Sequence, residues 1–189
     1  MNIAALIIGY LFGSIPTAFL IGKLIGRIDL RKKGSGNLGT TNVIRNLGLG
    51  AGLLTYALDM LKGLIPVLIA RHWGFEPAVY AGIGTVIGHC YSVFFHFHGG
   101  KGVAVTSGVL FALDPLLAAI LIAWQLIVFF LTRYMGLASL TTAIAFPIAT
   151  YIKRGPDVLF YASIFLSLFV IFQHRGNLKR LLKGTEHKL

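Results

Sequence analysis

Long apolar runs, each separated from the next by a short polar or glycine-containing connection, occupy most of this chain. Hydrophobic residues make up 56% of the 189 residues and charged residues only 12%. The runs lie near residues 3–25, 51–71, 77–97, 102–113, 115–132, 136–152 and 157–173. About 20 apolar residues in a helix cross the hydrocarbon core of a bilayer, and a helix satisfies its own backbone polar groups there. The sequence therefore predicts an all-α integral membrane protein.

The fourth run decides the topology. Residues 102–113 would form only about 18 Å of helix, against a hydrocarbon core of about 30 Å. If this run crosses, nearly all cation-rich connections and the basic C-terminal tail share one face, and only Arg71, Lys153 and Arg154 lie on the other. Cytoplasmic loops are the ones enriched in Lys and Arg. We predict seven transmembrane helices, the fourth short, with the N-terminus outside and the C-terminus cytoplasmic.

The C-terminal tail has its own pattern. After His174, leucines and cations alternate with helical spacing, which is typical of a short interfacial helix. The leucines are Leu178, Leu181 and Leu182, and the cations are Lys179, Arg180 and Lys183. We expect this helix to lie along the inner leaflet. The length leaves no room for a second domain, so residues 1–189 are predicted to form a single domain of the cell (inner) membrane.

An uncharged polar segment follows the first apolar run. The phosphate loop, as we call residues 34–42, reads Gly34-Ser35-Gly36-Asn37-Leu38-Gly39-Thr40-Thr41-Asn42. It lies between the cations Arg31, Lys32, Lys33 and Arg45. Small residues let backbone N–H groups turn toward an anion, while hydroxyl and amide groups supply neutral donors. This pattern predicts a site for a phosphorylated ligand.

Three further polar turns fall on the same predicted face. Gly99 and Gly100 directly precede Lys101, so the backbone can approach an anion closely while the ammonium reaches it as a point charge. Alone, this sequence is also typical of a simple turn with a lipid-facing lysine. The other turns are residues 133–139, with Ser139, and residues 174–177, with His174 and Asn177. Together with the phosphate loop they favour binding of two phosphates.

Polar residues inside the spans have plainer interpretations. Asp59 and Lys62 are three residues apart, so they are expected to form a structural ion pair on one helical face. His89 is interpreted as a neutral histidine that packs between helices. Ser14 and Pro16 predict a kink relieved by a hydroxyl.

Several other kinds of site are not supported. Cys90 is the only cysteine, and the pair His96 and His98 lacks a carboxylate and has poor spacing for zinc. We expect no metal and no cofactor. The net charge of +11 does not indicate nucleic acid, because the aromatic residues lie in apolar runs and not among the cations. No paired nucleophile and base are present, so a covalent intermediate is not predicted.

Three motifs together resemble a known family. Gly34 to Asn42, then Gly99 to Ala104, and finally His174 to Glu186 are similar to the signature motifs of the bacterial acyl-phosphate:glycerol-3-phosphate acyltransferases (the PlsY family). The resemblance covers the whole chain in length, span number and motif order. The departures are small: Ser92, Val105, Gly136 and Leu178 stand where the family commonly has proline, threonine, serine and isoleucine.

The resemblance implies transfer of a fatty acyl group from acyl phosphate to the sn-1 hydroxyl of glycerol 3-phosphate, giving lysophosphatidate and phosphate at the cytoplasmic face. The partners it implies are these two substrates and membrane lipid, and we expect a monomer. By resemblance, Lys101, Ser35, His174 and Asn177 are catalytic. The residues implied for acyl phosphate are Ser35, Gly36, Asn37, Thr40, Thr41 and Lys101, and those for glycerol 3-phosphate are Arg45, Lys101, Ser139, His174 and Asn177.

The base and two other functions remain as alternatives. Either His174 or a substrate phosphate can take the hydroxyl proton, and we favour the phosphate, with His174 as an orienting hydrogen-bond donor. A transporter of a phosphorylated metabolite would show internal repeats and polar groups near the midplane. A lipid phosphatase or phosphotransferase would need a histidine nucleophile with an acidic partner. Neither pattern is found in the sequence.

Overall fold

The computed structural model describes residues 1–189, and its regular structure is helical throughout. The α-helices are α1 (Asn2–Gly13), α2 (Thr17–Leu24), α3 (Thr40–Arg71), α4 (Phe75–Cys90), α5 (Val103–Leu113), α6 (Pro115–Thr132), α7 (Met135–Arg154), α8 (Val158–Gln173) and α9 (Arg175–Leu182). The chain divides into two compact units, Met1–Leu113 and Asp114–Leu189. The all-α prediction is confirmed, whereas the single domain stays a prediction.

Helix length and composition identify the segments that can cross a membrane. Five segments qualify: Asn2–Leu24, Thr40–Arg71, Phe75–Phe95, Pro115–Thr132 and Met135–Arg154. A sixth candidate is the pair α8 and α9, which is bent by 60°. The fourth predicted span corresponds to α5, an apolar helix of 11 residues. The expected short fourth helix is therefore present, in addition to five or six candidate spans.

The first apolar run is broken where the sequence predicts a kink. Helix α1 ends at Gly13 and α2 begins at Thr17, since Pro16 lacks an N–H and its ring crowds the preceding turn. The Ser14 hydroxyl donates to the Tyr10 carbonyl at 2.8 Å. The Ser14 carbonyl accepts a hydrogen bond from the Ser92 hydroxyl at 2.6 Å. The predicted relief of the kink by a hydroxyl is confirmed, and Ser92 adds a second contact.

Helix α3 begins eleven residues before the predicted apolar run, at Thr40 and not near residue 51. Its polar first turns carry Thr40, Thr41 and Arg45, and Gly48 interrupts the helical backbone with φ +86°. Hydropathy missed this extension because an apolar run marks only the part of a helix that lies in lipid. As a result, three predicted site residues stand on the N-terminal turns of a helix.

Glycines bring α1 and α4 into backbone contact. A β-carbon at Gly9 or Gly13 would lie 2.0 Å from the carbonyl oxygen of Ala81 or Thr85, respectively. From the opposite helix, β-carbons at Gly84 and Gly88 would lie 2.1 Å from carbonyl oxygens of α1. Each helix thus presents two glycines four residues apart, the small-residue spacing that allows close helix packing in membranes. This packing fixes the broken first span against α4.

Acidic residues cap two helices of the second unit and pair with its basic residues. Asp114 accepts from the Leu117 amide at 3.0 Å at the start of α6, and Asp157 accepts from the Phe160 amide at 2.9 Å at the start of α8. Lys153 forms an ion pair with Asp114, and Arg154 lies 2.7 Å from Asp157. Burial tends to raise the pKa of Asp114, but the hydrogen bond from Lys153 and the Leu117 amide hold it below its ordinary value.

Candidate active site

Asn42 organises the phosphate loop. Its side-chain amide group donates to the carbonyl oxygens of Leu30, Lys33 and Asn37 at 3.3, 3.2 and 3.0 Å. Its side-chain oxygen accepts from the Ser35 amide at 3.1 Å. Asn42 is only 1% exposed. One buried side chain therefore holds both ends of the loop, a role that the sequence pattern does not reveal.

The loop needs glycine at two positions with left-handed backbone. Gly34 has φ +57° and Gly36 has φ +71°. A β-carbon at Gly34 would also lie 2.4 Å from the side-chain oxygen of Asn42. A nest for an anion forms where neighbouring residues alternate between right- and left-handed conformations and turn successive N–H groups into a concave surface. The two left-handed glycines are present, while the amides of Ser35 and Gly36 donate to the Asn42 side chain and to the Lys33 carbonyl in this structure.

Replacing Asn42 with aspartate is expected to destabilise the loop. The carboxylate would face three carbonyl oxygens and would remove the donors that satisfy them, at a cost of about 1–3 kcal/mol for each buried group left unsatisfied. We expect a lower free energy of unfolding and weaker binding of the phosphorylated ligand. Thermal unfolding of the purified protein measures the first effect, and an unchanged midpoint would contradict this role for Asn42.

The N-terminus of α3 adds hydroxyl groups to the loop. Thr40 and Thr41 form the first turn of the helix, where backbone N–H groups have no intrahelical partner and the helix dipole favours an anion. The side-chain oxygen of Thr40 is buried and makes no hydrogen bond to protein. A buried hydroxyl of this kind normally has a partner. A phosphate bound at this helix N-terminus would offer an oxygen to accept the hydrogen bond of the Thr40 hydroxyl.

One of the flanking cations is already neutralised. Arg31 lies 2.7 Å from Asp29, and its guanidinium also stacks near the rings of Phe19 and Phe95 at 5.2 and 5.5 Å. The hydrogen bonds from Arg31 lower the pKa of Asp29 to about 2. Arg31 is therefore paired with a carboxylate of the protein itself. Arg45 lies on an exposed part of α3, beyond the loop.

The turn before Lys101 packs directly against the phosphate loop. A β-carbon at Gly100 would lie 2.8 Å from the Leu38 carbonyl oxygen and 2.1 Å from Nε2 of His89. The Gly100 amide donates to the His89 carbonyl at 3.0 Å. The absence of a side chain at Gly100 thus lets the Lys101 turn approach the loop. The predicted association of two glycine-rich motifs is confirmed within the first unit.

The second unit holds the other group of predicted residues. Asn177 donates to one oxygen of Glu186 at 2.7 Å, and Arg180 donates to the other oxygen at 2.7 Å. A β-carbon at Gly136 would lie 2.7 Å from the Asn177 amide nitrogen, so glycine there makes room for this cluster. Ser139 is buried on α7 and donates to the Met135 carbonyl at 2.9 Å. The Glu186 carboxylate orients Asn177, which sequence reasoning missed because the two are nine residues apart.

His174 lies at the bend between α8 and α9 and is 4% exposed. Its Nδ1 is 2.8 Å from the Val170 carbonyl oxygen. A carbonyl oxygen can only accept, so this contact assigns the proton to Nδ1, and a neutral ring then has its acceptor at Nε2. The sequence analysis expects His174 to donate a hydrogen bond to the substrate. Because Nδ1 donates to Val170, such a donation would need a second proton at Nε2 and therefore a charged ring. A neutral ring can instead accept a hydrogen bond at Nε2 from a hydroxyl group.

The structure thus divides the predicted residues into two groups. The first unit contains Ser35, Gly36, Asn37, Thr40, Thr41, Arg45 and Lys101, and the second contains Ser139, His174 and Asn177. Within the first unit, the contact between Gly100 and Leu38 joins the turn before Lys101 to the phosphate loop. Within the second unit, Glu186 and Gly136 bring α9 to the start of α7.

Comparisons with known proteins give a consistent result. A family model described as glycerol-3-phosphate acyltransferase matches residues 3–184. The glycerol-3-phosphate acyltransferase of Mesorhizobium japonicum is 47% identical over 189 residues, which cover 99% of this chain and 95% of the relative. The Aquifex aeolicus glycerol-3-phosphate acyltransferase is 43% identical over 185 residues, with 96% of each chain covered.

Solved structures agree with the sequence relatives. A crystal structure of PlsY, an integral membrane glycerol 3-phosphate acyltransferase, in its glycerol 3-phosphate form has a TM-score of 0.94 at 41% identity and covers 100% of this chain and 95% of that chain. The lysophosphatidic acid form has a TM-score of 0.92 at 39% identity, with the same coverage. The predicted class of all-α, multi-pass integral membrane protein is confirmed. The match of one family model to nearly the whole chain, together with full-length relatives above 40% identity, shows that the chain belongs to the glycerol-3-phosphate acyltransferase family.

Proposed function

We propose that this chain transfers a fatty acyl group from acyl phosphate to the sn-1 hydroxyl of glycerol 3-phosphate, releasing lysophosphatidate and inorganic phosphate. The observation that supports the proposal is the contact between the phosphate loop and the turn at Gly100, the residue directly before Lys101. The solved relatives in glycerol 3-phosphate and lysophosphatidic acid forms support the acceptor and the product.

The first unit supplies the groups for the acyl phosphate. Ser35, Gly36 and Asn37 belong to the phosphate loop, and Thr40 and Thr41 form the N-terminal turn of α3. The unsatisfied Thr40 hydroxyl supports this assignment, because a phosphoryl oxygen would accept its hydrogen bond. The Lys101 ammonium, which follows the paired glycines, stabilises negative charge on the phosphates of both substrates.

Glycerol 3-phosphate is assigned to a second set of side chains. Arg45 supplies a planar guanidinium that matches a phosphate dianion, and Lys101 contributes a point charge. Ser139, His174 and Asn177 are the polar groups proposed for the glycerol part and its phosphate. Glu186 and Arg180 keep the Asn177 amide oriented, since Asn177 donates to Glu186 and Arg180 pairs with the same carboxylate.

The reaction needs no nucleophile from the protein, because acyl phosphate is a mixed anhydride and is already activated. The glycerol hydroxyl oxygen attacks the acyl carbon, the bond from that carbon to the phosphate oxygen breaks, and inorganic phosphate leaves. The hydroxyl proton passes to a phosphate oxygen of the substrate. The chain contributes orientation of the two substrates and stabilisation of the charge that develops on the acyl oxygen and the leaving phosphate.

His174 is proposed to orient the glycerol hydroxyl through Nε2, with the substrate phosphate as the base. His174→Ala is then expected to raise the KM for glycerol 3-phosphate at least about tenfold, the cost of roughly one hydrogen bond to a polar partner, with kcat near that of the wild type. Steady-state kinetics with varied glycerol 3-phosphate measures the effect. A fall in kcat at unchanged KM, restored by added imidazole, would instead make His174 the base.

The proposed placement has seven spans, with α5 as the short fourth span, an external N-terminus, and the active site and C-terminus in the cytoplasm. The cation distribution supports it, and two of the three cations assigned to the outer face, Lys153 and Arg154, are paired with Asp114 and Asp157. We propose a single domain that acts as a monomer, with α9 along the inner leaflet. Reporter fusions after Pro115 and at Leu189 test the orientation, and an external C-terminus would overturn it.

A reconstituted assay tests the function directly. Purified protein in lipid nanodiscs receives acyl phosphate and labelled glycerol 3-phosphate, and lysophosphatidate and phosphate are measured together. We expect lysophosphatidate only with protein, and one phosphate for each lysophosphatidate after subtraction of the protein-free hydrolysis. Phosphate release above the protein-free rate without glycerol 3-phosphate would indicate a phosphatase. Uptake of label without product, measured separately with protein in sealed vesicles, would indicate a transporter. Absence of lysophosphatidate from folded protein would overturn the proposal.

A further inference from the structure

We propose that Asp59, Lys62 and His89 are positioning residues that hold the Lys101 turn and the phosphate loop in their active arrangement. The inference rests on the proposed function and extends it to residues that touch neither substrate. All three side chains are buried, with exposures of 1% for Asp59, 6% for Lys62 and 5% for His89. Ionisable groups within a membrane-spanning bundle are costly and are usually functional.

Asp59 and Lys62 connect α3 to the break in the first span. The Lys62 ammonium lies 2.8 Å from Asp59 Oδ1, which confirms the predicted ion pair. The same ammonium donates to the Ile15 carbonyl at 2.8 Å, and the Thr17 hydroxyl donates to Asp59. The pair therefore satisfies polar groups that the Pro16 break releases, and it fixes the position of the break relative to α3.

His89 connects this pair to the Lys101 turn. Its Nδ1 lies 3.6 Å from Asp59 Oδ1. On its other edge, a β-carbon at Gly100 would lie 2.1 Å from Nε2, and the His89 carbonyl accepts from the Gly100 amide at 3.0 Å. The imidazole thus lies between the carboxylate and the backbone immediately before Lys101. The helix-packing role predicted for His89 is confirmed, and its packing partner is the turn of the proposed site.

The same contacts reach the phosphate loop. The Leu38 carbonyl lies against Gly100, so any shift of His89 would move the turn relative to the loop. A small cavity is lined by residues of both regions, among them Thr17, Leu38, Lys62, His89, Ser92 and Gly100. The contacts of Asp59 with His89, and of Gly100 with His89 and Leu38, therefore connect the buried carboxylate to the Lys101 turn and the phosphate loop.

Stability alone does not account for the cluster. A buried ion pair is often no more stabilising than apolar residues of similar volume, because desolvation offsets the attraction. The effect of the cluster on the position of Lys101 is more important for the rate, since a displacement of about 1 Å at a catalytic group can lower a rate by about 10²-fold. We therefore expect the cluster to contribute to kcat even where apolar replacements preserve the fold.

The test uses the double variant Asp59→Asn/Lys62→Met, which removes both charges and leaves neither unpaired. We expect kcat for lysophosphatidate formation to fall at least about tenfold through misplacement of Lys101. The thermal midpoint is expected to fall as well, because the Ile15 carbonyl loses its donor. KM for each substrate is expected to change less than kcat, because the binding groups remain present. Thr55→Val is the matched control, since Thr55 is buried on α3 one turn away and its hydroxyl bonds only within the helix.

His89→Gln supplies a second measurement that leaves the ion pair intact. We expect kcat to fall at least about tenfold, as for the double variant. If the double variant does not fold, the kcat of His89→Gln alone tests the positioning role. Wild-type activity in the same assay is measured first, so failure of the proposed function is recognised independently. An active wild type together with folded variants that keep wild-type kcat would overturn the positioning role and leave the proposed function in place.

Discussion

Lys101→Met is expected to lower kcat/KM for acyl transfer by about 10²- to 10³-fold, the usual cost of removing one preorganised group that stabilises developing charge. Methionine keeps the length of the side chain but removes the ammonium. The backbone at this position is held by Gly100 against His89 and Leu38, so the substitution should leave the turn unchanged. Rates of lysophosphatidate formation by purified protein in nanodiscs measure the effect.

Lys183→Met is the matched control, because it changes the net charge equally at an exposed position just after α9. We expect its rate to stay within about twofold of the wild type, as surface substitutions seldom perturb the fold. Lys101→Arg should give an intermediate rate, since the charge remains but its shape differs. A Lys101→Met variant that keeps wild-type activity would exclude the lysine from catalysis.

Gly100→Ala is expected to lose about 10²-fold or more in kcat/KM, although it adds a single methyl group. That methyl group would lie 2.1 Å from Nε2 of His89 and 2.8 Å from the Leu38 carbonyl oxygen. Neither neighbour can move freely, since His89 is buried beside Asp59 and Leu38 belongs to the phosphate loop. The turn must then move away from the loop and carry Lys101 with it.

Gly50→Ala serves as the control for this substitution. Gly50 lies within α3 in open space, with nothing within 4 Å of an added β-carbon. Alanine there should leave activity unchanged, and its higher helix propensity is expected to stabilise the helix by about 0.5–1 kcal/mol. Full activity of Gly100→Ala would mean that close approach of the two motifs is not required.

Several features of the site can be predicted from the sequence because they depend on residues that are neighbours along the chain. The left-handed backbone at Gly34 and Gly36 is a local conformation that glycine allows. The Asp59 and Lys62 pair follows from helical spacing alone, since side chains three residues apart share a face. The break at Pro16 follows from the missing N–H. Each of these predictions needed only the periodicity or chemistry of adjacent residues.

Other features depend on residues that are distant along the chain. Asn42 organises the loop through carbonyl groups up to twelve residues away, and Asn177 is oriented by Glu186. Hydrogen-bond partners of this kind are selected by the path of the backbone, and composition or spacing does not specify that path.

The sequence by itself indicates that the protein lies in a lipid bilayer and which polar groups it offers to a ligand. Runs of apolar residues require helices in a bilayer, and neutral glycine-rich segments with flanking cations predict an anionic ligand. The tertiary structure decided which of these groups act together. Close packing at Gly100 joins Lys101 to the phosphate loop, and His89 links that contact to a buried charge pair. The physical reason is that backbone approach and buried polar contacts depend on distances between helices, which only the folded chain defines.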